Sequence, residues 1–236
     1  MIFSDTFSST HDRRGFLRGI AGLLLAASAT LSTGAQAAPT ILVLGDSLSA
    51  EYGIQRGKGW VTLLEQRLKE KQLDYSVVNA SISGDTTSGG AARLPAALAQ
   101  HKPAVVIIEL GANDGLRGLP IAASRTNFDS MITASQKAGA KVLLVGMQLP
   151  PNFGRETTEK FKGMFGELAQ KHKTALAPFL LDGFADKPEA FQADGIHPLA
   201  TSHPRMLDNV WPALEPLLKP GKGAAPGKAA KGKGQA

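Results

Sequence analysis

Five short apolar runs, each separated from the next by a longer stretch with helical spacing, constrain this chain more than any other feature. The runs are Thr40 to Leu44, Tyr75 to Val78, Ala104 to Leu110, Lys141 to Met147 and Thr174 to Pro178. Between them, Gly59 to Lys71 carries apolar residues at helical spacing (Trp60, Leu63, Leu64 and Leu68). Ala91 to Gln100, Asn127 to Ala138 and Glu156 to Lys171 read as further helices. Leu207 to Leu218 reads as a closing helix despite Pro212 and Pro216, and Ser83 to Gly90 reads as a Gly/Ser/Thr loop. The inner runs have no polar alternation, so both faces of those strands must be covered. The pattern predicts an α/β fold with a five-stranded parallel sheet between helical layers. Right-handed crossovers follow, and any ligand belongs at the carboxyl ends of the strands.

The ends read differently. Arg13, Arg14 and Arg18 surround a Gly-Phe-Leu step, an apolar run follows from Gly19 to Leu31, and Ala35-Gln36-Ala37 supplies small residues for cleavage. That arrangement is predicted to be an export signal over residues 1–37, too short in its apolar part to span a bilayer, where about 20 residues are needed. The Arg13-Arg14 pair followed by Phe16-Leu17 resembles a twin-arginine signal. Export would leave the mature chain periplasmic or secreted. Residues 219–236 contain only Lys, Gly, Ala, Pro and one Gln, and are predicted to be a disordered tail. The folded domain is therefore expected over residues 38–218, long enough for one good core.

Charge and cysteine usage narrow the function. The formal charge is +6. Five lysines of the tail and the arginines of the leader account for the excess, leaving 18 basic and 18 acidic side chains between Ala38 and Leu218. A neutral body gives no footprint for nucleic acid, so no nucleic-acid partner is expected. The tail can offer a weak contact with an anionic membrane or cell-wall surface. With no cysteine, disulfides, thiolate zinc sites and cysteine nucleophiles are excluded. No His/Asp/Glu spacing of the zinc type occurs, so no metal is expected. Gly-x-Gly-x-x-Gly is missing after the first strand, as are the P-loop Gly-Lys-Ser/Thr and the Gly-x-Ser-x-Gly elbow.

Four polar loops remain, each at a strand end or before the closing helix: Gly45-Asp46-Ser47-Leu48-Ser49, Ser83-Gly84-Asp85, Gly111-Ala112-Asn113-Asp114-Gly115 and Asp194-Gly195-Ile196-His197-Pro198. Their chemistry is complementary. A serine hydroxyl such as Ser47 is a weak nucleophile until a base takes its proton. His197 is a candidate base, and Asp194, three residues earlier, can reach its near ring nitrogen on a tight turn. The backbone N–H groups of Ser47 and Gly84 and the Asn113 amide are candidate donors to an oxyanion, each worth roughly 3–4 kcal/mol when preorganised. Singly, each motif is ordinary turn composition and each histidine an ordinary packing residue. Their joint occurrence in this order points to nucleophilic catalysis.

These blocks resemble those of the GDSL/SGNH hydrolase superfamily, whose Ser, Gly, Asn and His fall on Ser47, Gly84, Asn113 and His197. Longer stretches are similar to its bacterial periplasmic thioesterase, lysophospholipase and arylesterase subfamily: Gly45 to Ala50, Val78 to Thr86, Ala92 to Ala96, Glu109 to Gly111 with Asn113 to Gly118, and Asp194 to Pro198. The resemblance covers roughly residues 40–218. It implies a flavodoxin-like three-layer α/β/α fold, hydrolysis of acyl esters or thioesters through an acyl-serine, and no cofactor. It also implies a mobile segment over Gly115 to Pro120, with Leu116 and Leu149 as contacts of the acyl chain. The enzyme is expected to act as a monomer on a small-molecule substrate.

Departures matter too. Glu51 stands where the subfamily typically has Gly, and a carboxylate there is expected to disfavour anionic substrates. The stretch Leu199-Ala200-Thr201-Ser202-His203 also differs. His203 is expected at the surface, like His101 and His172 at helix ends. A carbohydrate O-acetylesterase of the same fold is the competing enzyme, and a non-catalytic cell-surface binding protein the competing class.

Overall fold

In the computed structural model, which describes residues 38–218, the apolar run from Ala104 to Leu110 forms the middle of the sheet. β3 (Val105–Glu109) is buried at all five positions. β1 (Thr40–Gly45) and β4 (Lys141–Val145) flank it, and β2 (Ser76–Asn79) and β5 (Ala175–Ala177) form the edges, all parallel in the order β2-β1-β3-β4-β5. The half-exposed edge strands are the shorter and less apolar ones. α1 (Trp60–Glu70) packs on α6 (His203–Leu214), whereas α2 (Thr87–His101), α4 (Ile121–Lys137) and α5 (Arg155–His172) pack in series. These are the two helical layers of a three-layer α/β/α fold with the flavodoxin-like strand order. The short helix α3 (Ala112–Leu116) follows β3 directly.

Element boundaries differ from the sequence reading in instructive places. The loop over Ser83 to Gly90 is cut short because Thr86 caps α2, its Oγ1 accepting from the Gly89 N–H at 3.3 Å. Gly90 thus lies inside the helix, where a Cβ would stand 2.4 Å from Leu110 Cδ1, so glycine allows α2 to approach the sheet. α4 begins at Ile121, six residues before Asn127, because Ser124 is buried and its hydroxyl donates to Asp114 at 3.1 Å. α6 begins at His203, four residues before Leu207, with proline in its first turn where no N–H is missed. Met147 lies beyond β4, in the loop that follows it.

Three histidines are not where the sequence reading placed them. His203 is 2% exposed, and its Nδ1 accepts from the Trp60 N–H at 3.0 Å. It joins the first turn of α6 to the first turn of α1, so its ring faces the core. His172 is mostly buried and lies 2.8 Å from Asp129. His101 is half-buried as well. The expectations for residues 1–37 and 219–236 lie outside the described residues.

Candidate active site

The chain leaves β1 through one helical turn, with the N–H groups of Ser49 and Ala50 donating to the Asp46 carbonyl at 3.2 and 3.0 Å. The Asp46 carboxylate accepts from the Leu48 N–H at 3.0 Å and so closes the same turn. Ser47 is thereby presented at the carboxyl edge of the sheet. The far loop is built as tightly. Phe191 and Pro198 form an antiparallel bridge, the Gln192 N–H donates to the His197 carbonyl at 2.8 Å, and Gly195 turns the chain at φ +68°. Inside that loop Asp194 accepts from the N–H groups of Ile196 and His197 at 2.9 and 3.0 Å.

Three side chains form a chain of hydrogen bonds across 150 residues of sequence. Asp194 Oδ2 lies 2.7 Å from His197 Nδ1, and His197 Nε2 lies 2.9 Å from Ser47 Oγ. The backbone bonds from His197 and Ile196, with the ring bond next, lower the Asp194 carboxyl to about 2. It is therefore a carboxylate at neutral pH and can only accept. That places the ring proton on Nδ1 and leaves Nε2 to accept from the Ser47 hydroxyl. Such an arrangement can draw a proton off a serine as its oxygen attacks.

The donors around Ser47 differ in their engagement. Neither the Ser47 nor the Gly84 backbone N–H donates to another group among the described residues. Gly84 sits at φ +79°, a conformation that favours glycine, and its carbonyl accepts from Arg117 at 2.9 Å. Asn113 Nδ2 is already shared between Asp46 Oδ2 at 3.1 Å and the Asp85 carbonyl at 2.9 Å. An arriving oxyanion would have to share or displace one of these. Arg93 ties the whole edge together, its guanidinium bridging the carbonyls of Gly45 and Ala80 and the Asp85 carboxylate at 2.8 Å.

Beside the Ser47–His197 pair opens a cavity of about 600 Å³. Asn113, Leu116 and Leu149 line it, whereas Gly84 and Asp194 do not. Sequence reasoning missed most of the rest: Met147, Phe179, Leu181, Phe191 and Ile196. Their signal was present as apolar residues in the segments leaving β4 and β5, where a loop facing water has no reason to carry them. Glu51 does not line this cavity. It adopts φ +59°, the left-handed conformation for which glycine is the natural choice, and its carboxylate turns inward. There it accepts from the N–H groups of Gly57 and Gly59 and the Thr62 hydroxyl at 2.8 to 3.1 Å. The Glu51 carboxylate, expected to disfavour anionic substrates, thus stays ionised but is held against its own loop and outside the cavity lining.

The sequence comparisons agree with this architecture. The model of the GDSL-like Lipase/Acylhydrolase family matches residues 43–204. Esterase TesA of Pseudomonas aeruginosa is 54% identical over 188 residues, covering 80% of this chain and 94% of that protein. Thioesterase 1/protease 1/lysophospholipase L1 of Escherichia coli K12 is 42% identical over 184 residues, covering 78% and 87%. A crystal structure of TesA superposes with a TM-score of 0.75, covering 76% of this chain and 99% of the other at 55% identity.

Proposed function

The chain belongs to the GDSL-like lipase/acylhydrolase family of serine ester hydrolases, and from that premise we propose that it cleaves acyl esters and thioesters through an acylated Ser47. The single observation that carries this reading is the Asp194–His197–Ser47 hydrogen-bond chain at the mouth of an apolar cavity. Aryl esters, lysophospholipids and acyl thioesters share the feature that such a site requires: an uncharged acyl chain beside a polar leaving group.

In the proposed reaction the acyl chain lies along Leu116, Leu149 and Phe179, and Ser47 Oγ attacks the acyl carbon while His197 Nε2 takes its proton. The carbonyl electron pair moves onto oxygen, where the N–H groups of Ser47 and Gly84 and the Asn113 amide donate to it. Collapse expels the alkoxide or thiolate, which takes the proton from His197 and leaves the acyl group on Ser47. Water then repeats the attack, with His197 accepting and returning one proton, and releases the carboxylic acid. Asp194 stays ionised throughout and holds the imidazole in the required tautomer.

Residues 1–37 would direct export through the twin-arginine route to the periplasm or beyond, and residues 219–236 would add only a weak contact with anionic surfaces. Ser47→Ala should lower kcat on p-nitrophenyl esters by roughly 10³-fold or more with an unchanged unfolding midpoint. Undiminished turnover by that variant would end the proposal. A panel from acetyl to palmitoyl, as p-nitrophenyl esters and thioesters, should show turnover on free acyl esters. A strong preference for an acetylated sugar over every member would instead assign a carbohydrate O-acetylesterase.

A further inference from the structure

The reaction leaves one contact of the base unused. The ring of Tyr52 stands against the His197 imidazole, centroids 4.4 Å apart and planes tilted by 39°. His197 lines the cavity and Tyr52 does not, so the phenol ring covers a part of the imidazole that the cavity leaves free. Tyr52 is 50% exposed, and an exposed ring keeps such a position only if its backbone is held. It is held from two sides. The Tyr52 N–H donates to the Ser47 carbonyl at 3.4 Å, which ties it to the nucleophile turn.

Gln192 supplies the second side. Its Nε2 donates to the Tyr52 carbonyl at 2.9 Å and to the Pro198 carbonyl at 3.2 Å. Both partners are acceptors, which assigns the amide orientation. The Gln192 N–H donates to the His197 carbonyl at 2.8 Å. One residue thus spans the loop that carries Ser47 and the loop that carries His197. The neighbouring Gly53, at φ +69°, has no room for a side chain: a Cβ there would stand 2.0 Å from Gln192 Oε1. The two loops come from opposite ends of the sequence, and among the described residues the other hydrogen bond joining them is the Ser47–His197 bond itself.

We propose that Tyr52 and Gln192 act together as positioning residues for His197, Gln192 locking the two loops in register and the Tyr52 ring packing on the imidazole. Asp194 fixes the ring in its plane from one nitrogen, and an in-plane bond alone leaves tilting free. An aromatic ring against the imidazole removes that freedom and also favours the imidazolium that forms as Ser47 gives up its proton, since the face of an aromatic ring attracts a cation. Neither residue lines the cavity, so the clamp acts on the chemical step and leaves binding alone. The inference rests on the reading of Ser47 and His197 given above.

The test is steady-state turnover of p-nitrophenyl butyrate by the full chain carrying Tyr52→Leu, Tyr52→Phe, Gln192→Leu or Tyr52→Leu with Gln192→Leu, with Ser47→Ala run alongside. Tyr52→Leu should lower kcat between about 2- and 30-fold, the range that a cation–π contact spans when expressed as a rate. KM should stay within about twofold, because no ground-state contact is lost. Tyr52→Phe should restore parental kcat, and the double variant should lose less than the product of the two single losses. The clamp is overturned if Tyr52→Leu keeps parental kcat, if it changes KM alone, or if Tyr52→Phe is as slow as Tyr52→Leu. Fully multiplicative losses in the double variant would also overturn it, as two independent effects. Should Tyr52→Leu fail to fold, Gln192→Leu decides by the same kcat and KM criteria. Turnover by Ser47→Ala would instead sink the underlying mechanism, a result separate from any of these.

Discussion

Glu109 ends β3 opposite Gly45 and lies fully buried beneath the nucleophile turn. Burial first, and the nearby Asp46 carboxyl second, push its pKa well above the usual carboxylate range. Asp46 is raised in the same way to about 6, against the bonds from Leu48 and Asn113 that favour its charge. Glu109 Oε2 accepts from Ser49 Oγ at 2.7 Å, while Oε1 has no partner among the described residues, as suits a protonated acid in an apolar setting. The unfolded chain releases this proton above about pH 4.5 and the folded chain keeps it. Its burial therefore costs stability as pH rises through that range. Glu109→Gln keeps the shape without the proton, so in urea unfolding it should be more stable than the parent at pH 8, with the gap closing toward pH 4. Equal stability at both pH values would show Glu109 to be ionised. Sequence singled out Ser47, Asp194 and His197 because each sits in a short polar motif, one straight after β1 and the other ahead of α6. It could not make Glu109 legible, because depth beneath a turn is a property of the folded sheet. For a related reason the place of the Glu51 carboxylate was not legible: a residue type in sequence does not reveal on which side of its loop the side chain will lie.

His203 joins two elements, and its protonation sets how firmly α6 holds α1. Burial lowers its pKa to about 4, only partly offset by the Glu51 carboxylate. Below pH 6.5 the unfolded chain takes up a proton that the folded chain refuses, so stability present above that pH is lost as pH falls toward 4. The loss should amount to roughly 3 kcal/mol at most. His203→Asn keeps an acceptor for the Trp60 N–H, so its thermal midpoint should fall less between pH 6.5 and 4 than that of the parent. A parallel fall in both would place the titration elsewhere. The three inner strands were legible because a parallel strand covered on both faces must be apolar throughout, and the edge strands and five long helices followed from the alternation around them. Helix starts were less legible: α2, α4 and α6 each begin before the first residue of their apolar pattern. Caps and first turns at Thr86, Pro120 and Pro204 do the starting, and such residues are equally at home in turns.

At the scale of the molecule, the charge is divided as the chemistry is. Residues 38–218 are balanced at 18 basic and 18 acidic side chains, and the five lysines of residues 219–236 carry most of the surplus. Deleting 219–236 should leave kcat and KM on soluble esters unchanged while reducing sedimentation with vesicles of anionic phospholipid. A fall in soluble-ester turnover would mean that the catalytic domain extends past residue 218. The cavity wall shows the limit of reading from sequence at this scale. Leu116 and Leu149 were reached through resemblance to a family, but Phe179, Leu181 and Phe191 meet them only because β4 and β5 lie side by side. All of this turns on whether Ser47 is the atom-bearing nucleophile. The most direct measurement is peptide mass mapping after the full chain has reacted with an alkyl fluorophosphonate, which phosphonylates activated serines. A single phosphonyl group on Ser47, absent from Ser47→Ala and strongly slowed in a His197→Ala variant, is the expected result. An adduct on another serine, or ester turnover that persists with Ser47 fully modified, would contradict it.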